Sequence, residues 1–150
     1  MSVRLAKTAG FCMGVRRAVD IVLDLAQKKG RETIYTYGPL IHNPQTVELL
    51  KRRGIVPIRS LDEIDPENKT ALLIIRAHGI SLAEMGRIEE LGIRIVDATC
   101  PRVTHVQKII RRYASQGYEI LILGDAEHPE VNGLLGFAGG RGRVIGDLST

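Results

Sequence analysis

The chain has no tryptophan, and phenylalanine and tyrosine together make up only 4% of its 150 residues. Proteins that bind single-stranded nucleic acid stack bases on aromatic side chains beside a basic groove. With so few rings and a net charge of only +4, a nucleic-acid partner is not expected. Long apolar runs are absent too: nothing approaches the ~20 residues that span a bilayer. The start, Met1-Ser2-Val3-Arg4-Leu5-Ala6-Lys7, lacks the apolar stretch of a signal peptide. No membrane partner and a cytoplasmic location are therefore expected. Cysteine is scarce, with Cys12 and Cys100 the only two. Their separation of 88 positions excludes a C-x-x-C zinc knuckle or thioredoxin motif. A reducing compartment also makes a structural disulfide a poor reading.

The rest of the composition, 44% hydrophobic and 25% charged, is that of an ordinary soluble domain. The hydropathy pattern alternates between strand and helix. Residues 3–8 read as a strand running into a Gly10-Phe11-Cys12 turn. Val15, Ala18, Val19, Val22, Leu23, Leu25 and Ala26 then have helical spacing, with Gly30 as a left-handed stop. A strand over 33–37 leads to Leu40-Ile41-His42, and Asn43 caps a helix with Pro44 at its first position. Ile55-Val56-Pro57-Ile58 is extended, but Pro57 argues against a central strand. Ala71-Leu72-Leu73-Ile74-Ile75 is apolar throughout, the pattern of a strand buried on both faces. Ser81 and Glu84 form a capping box.

A strand over 93–96 delivers Asp97-Ala98-Thr99-Cys100. Pro101 opens a helix whose apolar face is read as Val103, Val106, Ile110 and Ala114. Residues 118–123 are expected to be a second buried strand. A short helix over 131–137, a Gly139–Gly142 turn and a strand over 143–145 follow. Such alternation with short links predicts an α/β fold of small parallel-sheet units covered by helices. The first unit is expected over 1–99 and the second over 100–150. The second holds too few strands to cover its sheet, and Gly146-Asp147-Leu148-Ser149-Thr150 does not read as an ending, so the chain is expected to be truncated within it.

Ligands of parallel α/β sheets bind at the carboxyl ends of the strands. The loops at those ends hold both cysteines and every histidine except His105. Taken singly, each has a bland reading: a cysteine as a small buried hydrophobe, a loop histidine as a local hydrogen-bonder, Glu130 as a favourable helix-start residue, Asp97 as a turn residue, and Arg16 and Arg17 as solvated or anion-attracting charges. Together they suit a soft metal centre beside an anionic substrate and a proton donor.

Five stretches carry a resemblance: Gly10-Phe11-Cys12-x-Gly14-Val15-x-Arg17-Ala18, Gly38-Pro39-Leu40-Ile41-His42-Asn43, Arg76-Ala77-His78-Gly79, Asp97-Ala98-Thr99-Cys100-Pro101 and His128-Pro129-Glu130-Val131. In this order the sequence resembles the 4-hydroxy-3-methylbut-2-enyl diphosphate reductase family, the last enzymes of the non-mevalonate isoprenoid pathway. The resemblance implies a three-lobed trefoil of α/β units around a 4Fe–4S cluster with three cysteine ligands. It implies an iron–sulfur oxidoreductase that removes an allylic hydroxyl as water and yields isopentenyl and dimethylallyl diphosphates. By motif, Cys12 and Cys100 would be two metal ligands, His42, His78 and His128 would hold the substrate diphosphate, and Glu130 would be the catalytic proton donor. Ferredoxin or flavodoxin would be the electron donor. A third cysteine ligand is missing from the sequence, as are the family's later pocket residues, which puts the activity of this chain alone in doubt. The alternatives are a catalytically incomplete diphosphate-binding fragment, or a zinc protein using Cys12, Cys100 and a histidine.

Overall fold

Strand and helix do alternate along the chain. A computed structural model describes residues 2–28, 30, 32–65, 67–68 and 70–146. In order these form α1 (Met13–Lys28), β1 (Ile34–Tyr37), α2 (Pro44–Arg52), β2 (Ile55–Ile58), a 3-10 turn (Leu61–Glu63), β3 (Leu72–Ile75), α3 (Leu82–Glu90), β4 (Arg94–Asp97), α4 (Pro101–Ser115), β5 (Ile120–Leu123), α5 (Pro129–Leu135) and β6 (Gly142–Ile145). Residues 147–150, part of the closing stretch read above, lie outside the described residues. Among those described, no helix is long and apolar enough to cross a membrane.

β1 to β4 form one parallel sheet in the order β2-β1-β3-β4, and β5 and β6 form a second parallel pair. β2, the strand with Pro57, takes an edge, where a missing N–H costs least. β3 is central, and its alternate side chains enter two cores. Leu72 and Ile74 pack with Ala18, Val22 and Leu50 from α1 and α2. Leu73 and Ile75 pack with Leu61, Ile80 and Ile88 on the opposite face. A third core joins Val103, Ile110, Leu134 and Ala138, with Ile120 and Ile122 from β5 packed against it.

Local signals hold the helix ends. Asn43 Oδ1 accepts the Thr46 N–H at 2.8 Å before α2. Ser81 and Glu84 cap each other at the start of α3, with Ser81 N–H donating to Glu84 Oε2 at 2.8 Å and Glu84 N–H to Ser81 Oγ at 3.2 Å. Gly117 ends α4 with a φ of 90°.

Three expectations fail. Residues 3–8 form no strand: Val3 and Leu5 are 95% and 86% exposed, with no neighbouring strand to pair with among the described residues. On α4 the buried set is Val103, Gln107, Ile110 and Ala114, while Val106 turns outward. Residues four apart share a helix face, and that spacing selects 107 with 103 whatever its polarity. β5 is covered on one side only, leaving Leu121 and Leu123 65% and 67% exposed.

Candidate functional site

The order β2-β1-β3-β4 contains a switch point. β1 connects through α2 to β2 on one side, whereas β3 connects through α3 to β4 on the other. The helices that leave β1 and β3 go to opposite faces, since Leu50 of α2 and Ile88 of α3 belong to different cores. Their divergence opens a crevice at the carboxyl ends of these two strands, the usual ligand position in such sheets. His42 follows β1 and His78 follows β3, so both stand at this crevice. His128, after β5, comes in from the second sheet as the residue before α5.

The three rings meet. Their centroids are 4.8 Å apart for His42–His78, 5.7 Å for His42–His128 and 5.4 Å for His78–His128. One nitrogen from each ring can be chosen so that all three lie within 4.8 Å of one another. Close packing of α5 on the first sheet's loops brings His128 there. A methyl group added at Gly136 would stand 2.4 Å from Ser81 Cβ, and Gly133 faces the backbone of Gly79 and Ile80.

Each ring has a different environment. Nδ1 of His128 accepts the Glu130 N–H at 3.2 Å. The proton of the neutral ring is therefore on Nε2, which is left as a donor. Nδ1 of His78 is the one buried side-chain polar atom without a hydrogen-bond partner among the described residues. Leaving such an atom unpaired costs ~1–3 kcal/mol. Burial, the His42 and His128 rings and the Arg76 charge push the His78 pKa down to about 4 from an ordinary 6.5. His78 is thus neutral near pH 7. His42 is exposed, and Glu130 is partly buried in the first turn of α5.

The cysteines flank the same loops. Cys100 N–H donates to the Ala77 carbonyl at 2.9 Å, and Ala77 N–H reaches the Leu40 carbonyl at 3.5 Å, which laces together the segments bearing His42, His78 and Cys100. Cys100 is partly buried and Cys12 exposed, and both thiols are free. Gly14, two residues beyond Cys12, lies against Cys100: a methyl there would be 2.4 Å from its Sγ. Only glycine lets the start of α1 approach that sulfur so closely. Two cysteine thiols are soft donors of the kind that zinc and iron–sulfur centres take. Among the described residues, the histidine triad is the one group of three or more possible ligands, and neither cysteine belongs to it.

Three supporting residues were given no such role by sequence reasoning. Arg17, read as solvated or anion-attracting, donates from Nη1 to the Thr99 carbonyl at 3.1 Å and ties α1 to the Cys100 loop. Arg76 packs its guanidinium under Gly38 and donates from Nε to the Gly79 carbonyl at 3.5 Å, clamping the two turns that carry His42 and His78. Burial pulls its pKa down, opposed by Glu84 and Tyr37. Gln107 is buried against Gly79, beside His78. The available signals were the placement of Arg17 and Arg76 inside two of the five motifs, and a polar residue at a core position of α4. Asp97 is a turn residue, its Oδ1 accepting the Thr99 N–H at 2.8 Å. His105 is exposed on α4, apart from the triad.

Comparison with known proteins gives one consistent picture. A family model described as "LytB protein" matches residues 3–149. A 4-hydroxy-3-methylbut-2-enyl diphosphate reductase from Geobacter sp. strain M21 is 41% identical over 145 residues, 97% of this chain and 50% of that one. A protein of the same name from Clostridium tetani is 44% identical over 137 residues, 91% of this chain and 21% of that one. Among solved structures, the E-1-hydroxy-2-methyl-but-2-enyl-4-diphosphate reductase of Plasmodium falciparum superposes with a TM-score of 0.88 at 28% identity, covering 95% of this chain and 43% of that one. A structure of (E)-4-hydroxy-3-methyl-but-2-enyl diphosphate reductase, described as the terminal enzyme of the non-mevalonate pathway, gives 0.81 at 36% identity, covering 95% of this chain and 50% of that one. The chain spans about half the length of curated relatives such as those from Geobacter and Geotalea, and about a fifth of the Clostridium tetani protein.

Proposed function

The chain belongs to the LytB protein family, and on that premise we propose that it supplies the diphosphate-binding part of a reductive dehydroxylation site acting on 4-hydroxy-3-methylbut-2-enyl diphosphate. In this reading the products are isopentenyl and dimethylallyl diphosphates, and water carries away the hydroxyl oxygen. His42, His78 and His128 hold the diphosphate, Glu130 donates a proton to the leaving oxygen, and Cys12 and Cys100 hold two irons of a 4Fe–4S cluster. The cluster, when bound, contributes electrons and a Lewis-acidic iron. With two cysteines in the sequence, its third thiolate has to come from outside these 150 residues. A small carrier of the ferredoxin or flavodoxin kind supplies the electrons.

The observation that carries the reading is the hydrogen bond to His128. Because Nδ1 accepts from the Glu130 N–H, Nε2–H is presented as a donor. A donor suits a phosphate oxygen, whereas a metal ion needs the lone pair that this tautomer does not offer. His78 supports the same view: its Nδ1 has no partner among the described residues, and an anion beside it would offset the burial and neighbouring charges that hold its pKa down. The arrangement of Gly14 against Cys100 Sγ supports the placement of the two thiolates on one centre.

Calorimetry with inorganic pyrophosphate tests the binding step on the chain as it is. One equivalent is expected to bind with uptake of protons, and His128→Ala is expected to weaken it by about tenfold or more, about the worth of one charge-assisted hydrogen bond. An absence of binding would overturn the reading. Anaerobic reconstitution with iron and sulfide tests the cluster. Iron bound in a manner that depends on both Cys12 and Cys100 is expected, and zinc bound stoichiometrically to the same two thiols, with no iron, would replace the cluster with a zinc site.

A further inference from the structure

α4 is one-sided in charge. Its 15 residues include Arg102, His105, Lys108, Arg111 and Arg112 and no carboxylate. All five basic residues are exposed, and none forms an ion pair among the described residues. Beside them runs an apolar seam: Val106, Ile109 and Tyr113, three and four residues apart, are 39%, 41% and 42% exposed. The Arg112 guanidinium lies 5.9 Å from the centre of the Tyr113 ring, and Tyr118 stands edge-on to that ring. Toward its start, α4 borders a cleft of about 370 Å³ shared with Arg17, in which Asp97 is the one carboxylate. The residue before this helix is Cys100.

We propose that the exposed face of α4 is the docking surface for a small acidic electron-carrier protein. The proposal rests on the reductase reading and extends it by naming where the carrier sits. Three observations choose this occupant. The uncompensated positive charge attracts an acidic surface and speeds the encounter. An apolar seam bordered by charge matches the anatomy of a protein interface, with a dehydrated centre and a polar rim, and gives a polyphosphate nothing to bury. The helix begins at a proposed cluster ligand, so a carrier seated over Arg102 and His105 is within two turns of Cys100. Two one-electron deliveries with two protons balance the reaction: the C–O bond breaks, the oxygen leaves as water, one C–H bond forms, and two carriers are oxidised.

The test is a titration of the 15N-labelled chain with an oxidised acidic flavodoxin, followed by NMR. Amide shifts are expected in α4 over residues 102–113, with affinity falling about tenfold or more between low and physiological salt. Arg102→Glu/Lys108→Glu/Arg112→Glu is expected to lose about tenfold or more of that affinity while pyrophosphate binding and the far-UV spectrum stay unchanged. Ile109→Ser, which keeps every charge, is expected to cost a few-fold. Shifts centred on another surface, undiminished binding by the triple variant, or equal α4 shifts with duplex DNA or anionic vesicles at the same salt would overturn the proposal. Failure of the reductase reading is distinguishable, because it shows as loss of pyrophosphate binding, which the docking surface does not affect.

Discussion

β3 and β5 are close to interchangeable as sequences, Leu-Leu-Ile-Ile against Ile-Leu-Ile-Leu, yet they occupy opposite environments. All four residues of β3 are buried, because α1 and α2 cover one face of its sheet and α3 with the 3-10 turn covers the other. β5 has α4 and α5 on one face only, so alternate leucines remain open. An apolar strand specifies burial only where another layer arrives to supply it. The same contrast runs through the site. His42 and His78 grow from the fully covered sheet, and His128 from the half-covered one. The triad therefore joins two rings from one sheet to a third whose place depends on how α5 seats against Ser81.

The comparison can be broken most forcefully in the cores. Ile74→Ala should destabilise the chain by ~2–5 kcal/mol, and Leu121→Ala by no more than ~0.5 kcal/mol. Urea unfolding of the two variants measures the difference, and equal losses would mean that β5 is covered after all. The next effect is on seating. Gly136→Ala drives a methyl group into Ser81, whose Cα and Cβ cannot swing away. It should cost ~1–3 kcal/mol and weaken pyrophosphate binding through displacement of His128, whereas a control at Gly86, which has open space around it, should leave binding unchanged.

Much of the first sheet was legible because its signals are local. Asn43-Pro44 and the Ser81/Glu84 box write their helix starts into a few adjacent residues, and Pro57 marks an edge strand. The positions of His42, His78 and His128 were legible because a loop after a parallel strand is a ligand position in any such sheet. What stayed hidden depends on partners distant in sequence. Val3 and Leu5 look like a strand but have no strand to pair with among the described residues. Gln107 enters a core that polarity alone would deny it. The roles of Arg17 and Arg76 arise from contacts that only the fold makes, at the Thr99 carbonyl and at Gly38, and the sequence marks them only by their place inside two of the five motifs.

A pH dependence sharpens the contrast further. The pKa of His78 is lowered in the folded chain to about 4 from 6.5, so between those values the unfolded state binds more protons. Stability from this residue is complete above the unfolded value and declines as pH falls from about 6.5 toward 4. Unfolding midpoints measured across that window should drop with acid, and His78→Gln should flatten the slope. Pyrophosphate should reverse the trend locally, binding more tightly as pH falls from ~8 to ~6, since an adjacent anion favours the protonated ring. The smallest effect is expected from Arg76→Gln. Removing that neighbouring cation should raise the His78 pKa, against a background set chiefly by burial, and an NMR titration of the ring reads it directly.

The central claim is that three imidazoles from two sheets form an anion site in which His128 presents Nε2–H. Long-range 1H–15N NMR of the histidine rings, recorded with and without pyrophosphate, tests it most directly. The account predicts a protonated Nε2 and an accepting Nδ1 on His128, and ring shifts at His42, His78 and His128 while the exposed His105 stays still. A proton on Nδ1 of free His128, or a ligand response shared equally by His105, would contradict it.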